Sequence, residues 1–104
     1  LQMEKLETVS DYFSRTLALV NEVKAIGEDV KDLQVVEKIL RTLTMRFEAK
    51  VTVIEDFPNL ESMMVEELMG SLMVYEQRFN EKSQIAVEEA SQAQLNLKKD
   101  KEEA

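Results

Sequence analysis

The stretch Glu7-Thr8-Val9-Ser10-Asp11-Tyr12-Phe13-Ser14-Arg15 decides how the rest of the chain is read. An acid precedes a helix start, and an aromatic pair and an arginine follow it. Thr8 is a good N-cap, because its hydroxyl can accept from an orphan amide in the first turn. Asp11 stands at the third helical position, in place of the Glu of a capping box, and suits the positive end of the helix. The spacing predicts a helix from Val9 to about Ile26. Val9, Phe13, Thr16, Val20 and Val23 line one stripe. Tyr12, Leu19 and Ile26 widen it on one side and Leu17 on the other. A stripe so wide belongs to a helix covered on more than one face. Gly27 supplies the left-handed residue that closes it.

Upstream, residues 1–7 mix Leu1, Met3 and Leu6 with Glu4 and Lys5. They fit the last turn of an earlier helix, an extended lead-in or a frayed end. The chain starts at Leu and enters directly into helical pattern, as a piece of a longer protein would.

Downstream, Asp32 is a good N-cap for a second helix running to about Leu43. Leu33, Val36, Leu40 and Leu43 make its core face. Val35 and Ile39 stand about a quarter-turn or more away, a second and smaller apolar edge. Either another helix of the same subunit covers that edge or a second subunit does. Thr44 caps a third, short helix from Met45 to about Glu55, with Phe47, Val51 and Ile54 inward. The β-branched run Val51-Thr52-Val53-Ile54 also permits a strand, but nothing nearby could pair with it. Asp56-Phe57-Pro58-Asn59 is a loop.

The last helix starts near Met63 or Val65, capped by Ser62. Val65, Leu68, Met69, Leu72, Tyr75 and Phe79 form its stripe. Glu76 falls within that stripe, so its carboxylate either finds a cation, Arg15 or Arg78, or lies past the edge of the core. Gly70 on the opposite face costs about 1 kcal/mol of helix propensity, and either close contact with a neighbour or neutral drift would explain it. Beyond Lys82 the pattern weakens, with Ile85, Val87, Leu95 and Leu97 the only large apolar residues. Ala, Glu, Gln and Lys keep helix propensity high there. The reading is a body over residues 1–82 and a charged extension over 83–104, a helix that outlasts its domain and frays in the mixed charge run at its end; the alternative is a dimeric coiled coil, against which the heptad breaks at Lys82.

Composition bounds the function. The 104 residues make one domain, which buries roughly two-thirds of its unfolded surface. Two Gly and one Pro leave too little turn material for a β-sandwich, so an all-α fold of four main helices is expected. With no Cys and no His there are no disulfides, no thiol nucleophile, no Ser-His-Asp triad and no Cys/His zinc site. A cysteine-free chain fits the cytosol, and a cytoplasmic location is expected. A net charge of −8 repels phosphate backbones, so no nucleic-acid partner is expected for this stretch. No apolar run approaches the roughly 20 residues of a membrane span.

Adjacent acids such as Glu66-Glu67 and Glu88-Glu89 point in different directions on a helix, so they form no acid–base dyad. No phosphate loop, dinucleotide fingerprint or calcium loop occurs. Neither an enzyme nor a bound cofactor or metal is expected. Met63, Met64, Met69 and Met73 either make an adaptable binding surface or pack the core.

Three blocks carry a resemblance. Val9-Ser10-Asp11-Tyr12-Phe13-Ser14-Arg15, Val35-Val36-Glu37-Lys38-Ile39-Leu40-Arg41-Thr42-Leu43 and Val65-Glu66-Glu67-Leu68-Met69-Gly70-Ser71-Leu72, with Glu76-Gln77-Arg78, resemble the Gag polyprotein of copia-type LTR retrotransposons. The likeness covers about residues 1–82. Beneath it, Glu7, Tyr12 and Arg15 are spaced like the acid, aromatic and arginine of the major homology region in retroviral capsid C-terminal domains. That likeness implies a bundle of that kind, a structural network of Glu7, Tyr12 and Arg15, and a subunit contact on the second helix. Val35, Ile39, Thr42, Met63 and Met64 are the expected contact residues. Met3 stands where the motif has its glutamine, and the motif's glycine is missing. The proline usual near Thr44-Met45 and the Ser or Thr usual at Met64 are absent too. The Cys/His zinc knuckle of the family does not occur. The resemblance implies a structural domain that associates with itself as a homodimer or larger shell. The alternative is a domesticated host adaptor with a heterologous protein partner.

Overall fold

The computed structural model describes residues 1–103, with side chains through residue 99. Four α-helices follow one another: α1 Val9–Ala25, α2 Asp32–Thr42, α3 Glu48–Glu55 and α4 Val65–Glu103. Short 3-10 turns, Met45–Phe47 and Leu60–Ser62, precede α3 and α4. No strand occurs among the described residues, and Val51-Thr52-Val53-Ile54 is helical. Thr52 donates its hydroxyl to Glu48 O at 3.0 Å, which satisfies one polar atom of that β-branched run within the helix.

Local chemistry explains both ends of α1. Thr8 Oγ1 accepts from the Asp11 amide at 3.1 Å. At the far end Gly27 takes φ 93°, a conformation only glycine adopts without strain. Its amide donates to Lys24 O and the Glu28 amide to Val23 O, a Schellman closure.

The other helix starts differ from expectation. The N-cap of α2 is Lys31, whose amide donates to Gln34 Oε1 at 2.9 Å. Asp32 sits one residue inside the helix, and its Oδ2 accepts from the Val65 amide at 3.2 Å instead. The cap of α4 is thus supplied by α2. Ser62 does not cap α4, because its hydroxyl donates to Asn59 O within the preceding turn. Thr44 stands at the N-cap position of the Met45–Phe47 turn and its carbonyl accepts from the Phe47 amide, but its hydroxyl makes no cap bond and donates to Met3 Sδ at 3.8 Å.

Residues 1–7 are neither an earlier helix nor frayed. Met3 is buried, and its amide donates to Thr42 O at 3.0 Å. The core joins Val9, Tyr12 and Phe13 of α1, Val35, Val36, Ile39 and Leu40 of α2, Phe47 and Ile54, and Val65, Leu68 and Leu72 of α4. Thr16 is buried in the same stripe. Phe47, Tyr75 and Phe79 close one end as an aromatic cluster, with ring centroids 5.5–6.0 Å apart.

Gly70 has open space where a Cβ would stand, so no close approach requires it. The charge run that was expected to fray is helical in backbone through Glu103, and side chains past Lys99 lie outside the described residues. α4 is roughly 58 Å long at 1.5 Å per residue. The molecule measures 74 × 29 × 17 Å because α4 overhangs the body. Every side chain from 81 to 99 is exposed.

Candidate functional site

One end of the body gathers most of the specific polar contacts, and Glu7 is its first node. Arg15 Nε donates to Glu7 Oε2 at 3.0 Å and Arg15 Nη2 to Glu7 Oε1 at 2.9 Å, a bidentate pair. The same Nη2 donates to Gln2 O at 2.7 Å, and the Glu4 amide donates to Glu7 Oε1 at 2.9 Å. The lead-in is therefore folded around this pair and tied to the first turns of α1. The guanidinium of Arg15 holds the Glu7 carboxyl below the usual glutamate range, with the Glu4 amide adding to the effect. Arg15 also lies over the Tyr12 ring, 5.3 Å from its centroid. The buried Tyr12 hydroxyl hydrogen-bonds to Thr42 Oγ1, which in turn donates to Lys38 O at 2.7 Å. That link joins α1 to the last turn of α2.

The second node is Glu76. Its Oε2 accepts from the Val9 amide at 2.9 Å, so α4 caps the start of α1. An orphan amide and the positive end of a helix both favour an anion there. Its partners are thus neither Arg15 nor Arg78. The nearest cation is Arg46, with Nη2 at 4.0 Å. Arg46 Nη2 also donates to Glu7 O, and its guanidinium carbon lies 5.2 Å from the ring centroids of both Phe47 and Phe79. Arg46 fastens the lead-in to the aromatic cluster. Nothing in the sequence singled it out beyond its place between Met45 and Phe47. A cross-helix cap such as Glu76 or Asp32 leaves no spacing signature at all, because its partner is a backbone amide tens of residues away.

The expected contact residues are mostly used within the chain. Val35 and Ile39 are 5% and 0% exposed, in the core and not on a surface edge. The helices packed around α2 cover both of its apolar sides, and Leu33 and Leu43 are only partly buried. A charge at Ile39 would therefore report on folding and not on association. Thr42 is taken by Tyr12. Met63 packs partly against the core, as does Met69, whereas Met64 is 49% exposed.

The family of the gag-polypeptide of LTR copia-type matches residues 1–85, most of the chain. The chain belongs to that family. A gag polypeptide has a structural, non-enzymatic role in a retrotransposon. The match spans the whole packed body of this gag polypeptide and stops within the overhang of α4. No curated protein and no solved structure matches it. Among the described residues no group of His, Cys, Asp or Glu could hold a metal ion, and no helix is long and apolar enough to cross a membrane.

Proposed function

We propose that this gag polypeptide is a structural self-association domain that makes Gag–Gag contacts in particle assembly. The observation that carries the reading is the apolar surface left in water on a body that is otherwise packed. Leu6, Met45 and Ile26 are 88%, 83% and 80% exposed, and Leu19 and Val23 are also exposed. Side chains of that size in clusters mark protein contacts more often than solvent-facing decoration. The polar network supports a fixed shape for such contacts, because Glu7, Glu76 and Asp32 each bind segments that would otherwise move separately. The excess of acid disfavours RNA as the partner of this stretch.

Sedimentation of the chain over a wide concentration range tests the reading, with and without residues 83–104. A concentration-dependent dimer or larger species is expected. A monomer at every concentration, together with capture of a different protein, would replace self-association by an adaptor role.

A further inference from the structure

The body has two poles of different character, at opposite ends of α1. Residues 1–9, the α2–α3 junction and Glu76 meet at the α1 start, as the bonds of Met3 to Thr42, Arg46 to Glu7 and Val9 to Glu76 require. The segment after Gly27 and the start of α4 meet at the other end, through Asp32 and Val65. The 17 residues of α1 separate the poles by roughly 25 Å, at 1.5 Å per residue.

At the first pole, two adjoining concavities share Lys5, Thr44 and Met45. Leu6 and Arg46 line one of them, Arg41 the other. Cations lie in their walls and no carboxylate does. Glu7 and Glu76 nearby face Arg15 and Arg46, leaving Glu4 as the unengaged acid of the lead-in. At the second pole, Leu19, Val23 and Ile26 are exposed on the last turns of α1. Glu22, Glu28, Asp29, Glu61 and Glu66 belong to this end, against Lys24 and Lys31.

The first pole, basic in the walls of its concavities although Asp11 and Glu48 stand nearby, and the acidic second pole both end in large apolar side chains, so the concavity and the α1 end are complementary in sign and alike in greasiness. They cannot meet within one molecule, because α1 holds them apart. We propose that the Lys5–Leu6–Met45 concavity receives the Val23–Ile26 end of α1 from a second copy, a head-to-tail contact. This rests on the self-association reading and names its surfaces. A heterologous contact of this kind leaves a free pole at each end of every pair, so it continues into a ring or an open array. α4 leaves the body at the basic pole, so a copy seated there lies alongside the overhang.

Two doubly substituted chains test it: Leu6→Glu/Met45→Glu at the basic pole and Val23→Glu/Ile26→Glu at the acidic pole. All four residues are exposed, and unchanged far-UV circular dichroism checks that the body persists. Sedimentation at low ionic strength should show the unsubstituted chain growing with concentration, and growing less in high salt. Each variant alone should associate about tenfold more weakly or worse. Mixed in equal amounts, the two variants should form a dimer and nothing larger, since each brings one intact pole. Variants that grow like the unsubstituted chain would overturn the head-to-tail contact and leave self-association standing. Loss at one pole only, with no dimer on mixing, would overturn it in favour of a symmetric contact. An unsubstituted chain that stays monomeric throughout would overturn both readings.

Discussion

The two halves of α4 are one continuous helix held by different physics. In the first, Val65, Leu68 and Leu72 are buried and Met69, Tyr75 and Phe79 pack against the core. There the helix exists because its apolar stripe has somewhere to go. From residue 81 on, every described side chain is in water. Ile85, Val87 and Leu95 spread over about 160° at 100° per residue, and the face that does repeat, Ala86, Ala90, Ala93 and Leu97, is built mostly of small side chains that bury little area. It is helical by the propensity of Ala, Glu, Gln and Lys and by continuation from a packed helix, which removes the cost of nucleation. Packing anchors the helix, and propensity extends it.

The largest difference between the halves should come from truncating a leucine. Leu72→Ala removes a fully buried side chain and should cost about 3 kcal/mol in denaturant unfolding. Leu95→Ala should change stability by less than about 0.5 kcal/mol. Equal effects would mean that the overhang is covered in solution. Next comes the carboxylate comparison. Glu76→Ala uncaps α1 and leaves the Val9 amide without its acceptor, so about 1–2 kcal/mol should be lost. Glu88→Ala, with its side chain in water, should leave the melting temperature unchanged.

A glycine pair sharpens the same contrast. Gly70→Ala meets nothing within 4 Å and should stabilise the body by about 1 kcal/mol. Ala90→Gly should instead lower far-UV ellipticity without moving the cooperative transition. The smallest effect is a pH dependence confined to the body. The Glu7 carboxyl titrates below the usual glutamate range in the folded chain. Its pairing therefore stabilises the body above that range and is lost as pH falls through the lowered value. The stability gap between the unsubstituted chain and Glu7→Gln should be open at neutral pH and close on acidification.

Much of the candidate site was legible. The helix after Thr8 and its glycine stop follow from local rules, since a cap acts within one turn and an apolar stripe repeats every 3.6 residues, whereas the Glu7–Arg15 pair was an expectation of the family resemblance alone. α2 was legible as an element, while what covers its second apolar edge, a helix of the same subunit or a second subunit, stayed open. Its two apolar sides read as a core face with a separate edge, and only the neighbours packed around it show that Val35 and Ile39 are both interior. Glu76 was legible as an anomaly, an acid in an apolar stripe, and its amide partner was not.

By itself, the order of residues determined the helical class, the boundaries and caps of α1, and the absence of thiol or imidazole chemistry. Those properties depend on neighbours within a few residues. The tertiary structure alone decided which acid closes which helix, that Arg46 is the fastener, and that Lys5, Arg41 and Arg46 line adjoining concavities with no carboxylate in their walls. Such pairings join residues far apart in the chain, and a linear pattern carries no record of who will be opposite whom.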